Sequence, residues 1–311
     1  MKILITGGAG FIGSHLCDAL LAEGHQVTVV DNFILGKKEN VEHLFGNTDF
    51  TLVEDDLINS NSMRELFLKN KFDMVYHLAA NSDIRKGGND PVVDYELTFN
   101  TTFHVLQYMK EFGVKKLFFA STSAIYGETY DVLNEEYGPL KPVSNYGAGK
   151  LASEAFISAF SSNYDIQTWI ARFPNVVGER FTHGVIYDFI HKLERNPCEL
   201  EVLGNGEQCK PYVYVKDLVE GILYITEHAN EKYNVYMLGT DTRTKVKEIA
   251  AMVIEEMGLH SKISYTGGDR GWQGDVPEFR YDLTKVNQLG WKAKYTSNEA
   301  VRVAIQKALG K

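Results

Sequence analysis

The chain opens "MKILITGGAGFIGSHL": an apolar, β-type run stops at a cluster of glycines, and helical spacing resumes at once. A strand that enters a helix through so short a turn is a βα unit, and such units build parallel sheets through crossover connections. This junction confines the fold to the α/β class. The first half repeats the pattern, with strands expected at 2–6, 27–31, from Phe50 ("FTLVED"), from Asp73 ("DMVYHLAA") and from Lys115 ("KKLFFAST"). Helices are expected at 11–23, 62–70 and 92–112, then from "SNYGAGK" to about Asn163, before the strand "IQTWIARF". The whole predicts a doubly wound parallel sheet. After about Asn175 the alternation fades into helices at 185–195, 216–227, 246–257 and 298–308, separated by short strands and glycine-rich turns. With 311 residues to fold, the expectation is a sheet domain over 1–174 and a smaller C-terminal α/β lobe over 175–311. Some crossing of the chain between lobes is expected, with a ligand in the cleft they share.

Gly7, Gly10 and Gly13 lie between the first strand and the first helix. Glycine permits the sharp turn and brings backbone amides close to a pyrophosphate, and the helix N-terminus adds partial positive charge. A purely structural turn would use similar glycines, so the deciding residue is Asp31, at the end of the second strand. A carboxylate there accepts both ribose hydroxyls of an adenosine and repels a 2′-phosphate. The expected cofactor is therefore NAD. Lys37 and Lys38 follow in a polar loop and are read as solvated. "HANEKYN" (228–234) is read as a solvated loop as well.

A formal charge of −9 argues against nucleic acid as a partner. Cys17, Cys198 and Cys209 and the nine histidines show no ligand spacing, so no metal is expected. The apolar run at the start is broken too early for a signal-peptide core, and no run approaches the roughly 20 residues of a membrane span. A soluble, cytoplasmic protein is expected.

Tyr146 and Lys150, four apart in "SNYGAGK", share one helical face. Gly147, Ala148 and Gly149 between them leave that face open to a bound cofactor. An ammonium and a nicotinamide cation lower a phenol from its ordinary pKa of about 10, so that it works as a base. Ser121, Thr122 and Ser123, at the end of the strand "KKLFFAST", bring hydroxyls to the same sheet edge.

Taken in order, "TGGAGFIG", "DN" at 31–32, "DDL" ending at Leu57, "HLAA" at 77–80, "STSAIYG", "YGAGK", "RFPNVVG" at 172–178 and "YVYVKDLVEG" at 212–221 cover essentially the whole chain. Their series resembles the extended short-chain dehydrogenases/reductases of the nucleotide-sugar epimerase and dehydratase group. The resemblance implies Tyr146 as the base, Lys150 as the group that tunes it and holds the nicotinamide ribose, and Thr122 as the assisting hydroxyl. For NAD it implies Gly7, Gly10, Phe11, Ile12 and Gly13 at the diphosphate and Asp31, Asn32 and Phe33 at the adenosine. Asp56 and Leu57 fall at the adenine, Leu78, Ala79 and Ala80 along the cofactor, and Phe173 near the nicotinamide. On the substrate side it implies Thr122, Ser123 and Tyr146 at the sugar and Asn175 at the diphosphate. Two positions depart from the pattern. Lys210 stands where an arginine usually grips the diphosphate, keeping charge but losing the bidentate fork. "DRGWQGDVP" (269–277) keeps Gly274 and Asp275 but has Trp272 where the epimerases have a second arginine, with Arg270 two residues away as its substitute. The nucleoside base stays open between uridine, guanosine and others. The resemblance also implies a homodimer paired through the helices at 92–112 and 145–163.

Dehydratases of this group carry Asp and Glu directly after the threonine, where this chain has Ser123 and Ala124. Alanine transfers no proton, so dehydration is disfavoured. Epimerisation through a transient 4-keto sugar needs no further acid or base, and NAD-dependent 4-epimerisation of a UDP-hexose-like substrate is the expected activity. A C4 dehydrogenase that releases the keto sugar uses the same three residues and is the alternative. Reductases of keto sugars in this group favour NADPH, against Asp31. A catalytically silent NAD sensor would need the glycine turn but neither Tyr146 nor Lys150, and both are present.

Overall fold

The computed structural model describes residues 1–271 and 276–311. Runs of β-branched and aromatic residues, buried on both faces except at the edges, form the central sheet: β1 (Lys2–Thr6), β2 (Gln26–Asp31), β3 (Phe50–Glu54), β4 (Met74–His77), β5 (Lys116–Thr122), β6 (Gln167–Phe173) and β7 (Tyr233–Met237). Their spatial order is β3-β2-β1-β4-β5-β6-β7. β1 to β5 pair in parallel, with Ile3 opposite both Val27 and Met74 and Val75 opposite Leu117. The order reverses between β1 and β4, and such a switch opens a crevice outside the carboxyl ends of the strands. That crevice is where Thr6 and His77 end their strands.

Helices α1 (Phe11–Ala22), α2 (Ser60–Asn70), α3 (Thr101–Phe112) and α4 (Asn145–Tyr164) cover the sheet. One core cluster joins Leu4, Val75, Leu117, Phe119 and Ile170 of the strands to Phe67, Leu106 and Ile157 of the helices. Each such side chain contributes about 2 kcal/mol by leaving water.

The structure differs from the expected pattern in two places that matter. The helix expected at 92–112 is divided into Pro91–Asp94, a π-helical turn at Tyr95–Asn100, and α3. Pro91 starts a helix because Asp90 caps it, accepting from Val92 N at 3.0 Å. The wide turn follows from three threonines. Thr98 Oγ1 accepts from Asn81 N at 3.2 Å, while the hydroxyls of Thr101 and Thr102 donate back to Leu97 O and Thr98 O at 2.9 and 2.7 Å. Hydroxyls that bond to the preceding turn compete with the helical ladder. The second difference is within "HANEKYN": 230–232 form an exposed loop as expected, but Tyr233 and Asn234 already belong to β7. Asn234 is buried and donates to Thr168 O at 3.0 Å, and Trp169 Nε1 donates to Ala229 O at 2.8 Å. Asn234 and the Ala229 carbonyl tie this segment to β6, while the side chains of residues 230–232 stay in water.

The chain divides into two compact units: Met1–Ile125, Ser144–Arg172 and Ile222–Tyr236 make the first, and Tyr126–Val143, Phe173–Gly221 and Met237–Lys311 the second. One crossing falls at 172/173, beside the expected boundary at 174/175. The chain also leaves the first unit for Tyr126–Val143 and returns for Ile222–Tyr236, because the last strand of the sheet comes from late in the sequence. The second unit, by itself, is built of two-stranded pairs, among them Asn175–Val177 with Tyr212–Tyr214 and Glu199–Val202 with Lys262–Tyr265, and of the helices Val185–Arg195, Val246–Glu256 and Ser297–Ala308. Among the described residues, no helix is long and apolar enough to cross a membrane.

Candidate active site

At the end of β1 the backbone turns at Gly7 with φ +71°, a conformation that favours glycine. A Cβ on Gly7 would stand 2.8 Å from Ala79 N, so the loops that follow β1 and β4 touch backbone to backbone. Gly10 is the N-cap of α1 and brings no side chain to the first-turn amides, and a Cβ on Gly13 would stand 2.3 Å from Gly7 O. The result is a tight backbone turn at a helix N-terminus, closed to larger residues by its own backbone, which fits a dinucleotide diphosphate. Gly13→Ala is expected to lower stability by about 2 kcal/mol, because it is backbone that must move, and to weaken NAD retention. Thermal unfolding with and without NAD checks both.

Asp31, buried at the end of β2, accepts from Ala9 N and Phe33 N, each at 2.9 Å. Burial pushes its carboxyl up from the ordinary value, and the two amides oppose that. Asn32 Nδ2 donates to Asp56 Oδ2 at 3.0 Å, joining two of the residues assigned to the adenosine. Leu57 is buried, while Leu78, Ala79 and Ala80 are half-buried just beyond β4.

The catalytic candidates meet at the end of β5. Ser144 caps α4, its hydroxyl accepting from Gly147 N at 3.1 Å, which fixes the helix start immediately before Tyr146. The Tyr146 phenol lies near the side chain of Thr122, whose hydroxyl accepts from Ala124 N at 3.1 Å. Lys150, one turn on and buried, donates from Nζ to Ala120 O at 2.6 Å and lies 4.6 Å from the Phe119 ring centre. Burial pushes Lys150 down to about 7 against the opposing pull of Glu154. Tyr146 keeps some exposed surface, yet burial pushes its phenol up to about 12 in spite of the nearby Thr122 hydroxyl. The expected lowering calls on the nicotinamide cation as well as Lys150; the polypeptide's own groups, burial first, act to raise the phenol. Gly149 also has a different use from the one expected. A Cβ there would stand 3.3 Å from Asp94 O, so this glycine lets α4 pack on the segment before the π turn.

In the second unit, Asn175 is exposed at the start of its short strand, opposite Tyr212. Lys210 is half-buried in a two-residue ribbon opposite Thr244. Arg270, expected as a phosphate contact, donates from Nη2 to both carboxylate oxygens of Glu128, at 2.8 and 2.9 Å. Its charge is met within the protein, and an incoming phosphate would have to displace that carboxylate. Phe173, the last residue of β6, is buried. Trp272, Gly274 and Asp275 lie outside the described residues.

The NAD-dependent epimerase/dehydratase family matches this sequence over residues 3–239. The chain belongs to that family. It is 32% identical over 305 residues to a putative UDP-glucose 4-epimerase of Methanocaldococcus jannaschii, covering 96% of each chain. It is 31% identical to UDP-glucuronic acid decarboxylase 1 of Xenopus tropicalis, covering 98% of this chain and 71% of the other. The structure of Thermus thermophilus UDP-glucose 4-epimerase in complex with NAD superposes with a TM-score of 0.88 at 30% identity, over 100% of this chain and 99% of that one. As a member of this family the chain is an NAD-dependent enzyme.

For an epimerase/dehydratase of this family, several residues beneath the site escaped the sequence reading. His77 is fully buried between hydroxyls, its Nδ1 2.6 Å from Thr6 Oγ1 and its Nε2 2.9 Å from Thr102 Oγ1. Burial first and the Lys150 charge second push it down to about 3, so it holds the ends of β1 and β4 to α3 as a neutral ring. Gly36 is a second case, because a Cβ there would stand 2.6 Å from Asp31 Oδ1. Its only signal in the sequence was a glycine soon after the acid. Ser121, expected beside Thr122, turns instead to Glu154.

Proposed function

We propose that the chain is a 4-epimerase of UDP-hexoses, working through a transient 4-keto sugar. The observation that carries this reading is the Thr122, Tyr146 and Lys150 set, followed at 123 and 124 by a serine and an alanine with no carboxyl group. Bound NAD supplies the two-electron acceptor and donor for C4. Tyr146 takes the proton of the C4 hydroxyl as the ketone forms and returns it to the oxygen as the ketone is reduced on its other face. Thr122 orients that hydroxyl, and Lys150 holds the end of β5 and sets the local charge. A C4 ketone returned in place needs no further acid or base. We assign the NAD contacts to the turn at Gly7, Gly10, Phe11, Ile12 and Gly13, to Asp31, Asn32 and Phe33, to Asp56 and Leu57, to Leu78, Ala79 and Ala80, and to Tyr146, Lys150 and Phe173. The substrate diphosphate is assigned to Asn175 and Lys210 of the second unit.

The same reading includes a cytoplasmic homodimer. Its support is an exposed aromatic face on the first unit: Tyr95 and Phe156 are 54% and 40% exposed, and Phe156 packs edge-on against Phe99 and Phe103 with ring centres 5.2 and 5.5 Å away.

Incubation with UDP-, GDP-, CDP- and dTDP-hexoses and with UDP-glucuronic acid tests the proposal. The expected result is the C4 epimer without net NADH, from a particle of about twice 35.1 kDa. A stable keto sugar with accumulated NADH would make the chain a C4 dehydrogenase. Release of CO₂ and a pentose from the glucuronide would make it a decarboxylase, since a C4 ketone is β to the C6 carboxylate and labilises it.

A further inference from the structure

Helix α4 carries Tyr146, Lys150 and Glu154 at successive i,i+4 positions, and each engages one of the last three residues of β5. Tyr146 lies near the Thr122 side chain, Lys150 Nζ donates to Ala120 O at 2.6 Å, and Ser121 Oγ donates to Glu154 Oε1 in a short bond. From β6, Arg172 reaches Glu154 through Nη2 at 2.7 Å and Nε at 3.1 Å. Both members of this ion pair are buried, with 8% and 4% of their side chains exposed. A buried ion pair is poor at stabilising a fold, since a well-packed apolar pair serves as well or better. Glu154 therefore needs another reason to be ionic, and Lys150 supplies one.

The groups facing this cluster can be named element by element. Lys150 faces Glu154 on its own helix and His77 from β4. Glu154 faces Lys150, Arg172 from β6 and the Tyr233 phenol from β7. Tyr146 faces Asp94, just before the π turn. Among the described residues, Glu154 is thus the anion that acts on the Lys150 ammonium, while burial acts against it.

We infer that Glu154 is a positioning residue for Tyr146 and Lys150: it fixes the end of β5 through Ser121 and supplies the negative charge that keeps the buried Lys150 an ammonium. The inference rests on the reading of Tyr146 and Lys150 as the proton-transfer pair. Lys150 Nζ is hydrogen-bonded to Ala120 O and not to Glu154, so Glu154 acts on it through charge from one helical turn away, and without that charge the lysine loses its proton sooner as pH rises.

The test titrates Lys150 in the NAD-bound protein by NMR of ¹³C-labelled lysine, with the resonance assigned by its loss in Lys150→Met. Glu154→Gln is expected to move the titration down by about one pH unit or more, and Glu154→Asp to restore most of the difference. Ser121→Ala removes the hydrogen bond but no charge. It is expected to leave the Lys150 titration in place and to lower kcat about tenfold with KM unchanged. Should Glu154→Gln fail to fold with Arg172 left unpaired, Glu154→Gln combined with Arg172→Gln removes both charges and is expected to move the titration the same way. A Lys150 titration unchanged in the folded variant that lacks Glu154, or a parental kcat in Ser121→Ala, overturns the inference. The lysine titration needs no substrate. A protein that turned over no sugar would therefore sink the proposed function while leaving Glu154 to be judged by its own readout.

Discussion

Tyr146→Phe is expected to lower turnover by about 10³-fold while the chain stays folded and keeps its NAD, because a positioned acid–base group contributes about 10² to 10⁴. The substitution removes one oxygen and leaves the ring. Thr122 keeps its bond from Ala124 N, and the cap of α4 at Ser144 does not involve the phenol. No backbone group loses a partner, so the loss falls on chemistry. The opposing influences on the phenol are now clear in kind. Burial raises it to about 12, with the Asp94 charge acting in the same direction, and the Thr122 hydroxyl works the other way. The positive charge of oxidised NAD and that of Lys150 are the contributions left to oppose burial. Removal of the phenol should therefore abolish the pH dependence of turnover together with its magnitude. Product formation from the sugar that the parent epimerises, beside the amount of NAD retained, checks both. A variant that kept more than about a tenth of the parental rate would show that another group carries the proton.

How much of this was legible in the sequence depends on how local each signal was. The glycine turn, Asp31 and the Tyr146/Lys150 spacing are each set by a few neighbouring residues, and the structure places each of them at the carboxyl edge of the sheet or on one face of α4. The helix at 185–195 has the expected bounds because its apolar positions repeat with helical period and Gly184 precedes it. The π turn was not legible, since it arises from Thr98 meeting Asn81, 17 positions away. β7 was hidden for a related reason: its entry is tied down by Thr168 and Trp169, 66 and 60 residues earlier. Glu154 reads in the sequence as one more charge on a helix. Only the folded chain brings Arg172 and Ser121 to it, and only there does it become a buried counter-charge. The substrate side was least legible. Arg270 was read from its charge alone, and Glu128, its partner 142 positions away, changes what that charge can do.

Lys150→Met is expected to abolish activity and at the same time make the NAD-free protein more stable. The folded state pushes this lysine down to about 7 from 10.5, so between those values the unfolded chain holds a proton that the folded one does not. Stability then rises with pH across that window, by about 1.4 kcal/mol per unit from this group. Well below pH 7 the full cost of burying the charge is present, about 5 kcal/mol from the difference in pKa, and at pH 7, where about half of the folded chains have already lost this proton, about 4 kcal/mol remains. Methionine fills nearly the same space without charge, and the lost bond to Ala120 O takes back about 1 kcal/mol. The net gain near pH 7 is therefore about 3 kcal/mol, and it should shrink steadily as the parent gains stability toward pH 10. Above pH 10 the sign of the background reverses, because burial holds Tyr146, Tyr76 and Tyr233 near 12 and the unfolded chain is then the one that has lost protons. Denaturant unfolding of parent and variant from pH 6 to 10 reads the effect as a gap that closes with rising pH. A gap that stayed constant would mean that Lys150 carries its proton equally in both states, and the buried ammonium would then need no counter-charge from Glu154. A gap that closes would show a protein holding a costly cation where its chemistry needs one, since a stabler residue of the same size fits the site and leaves it unable to tune the phenol.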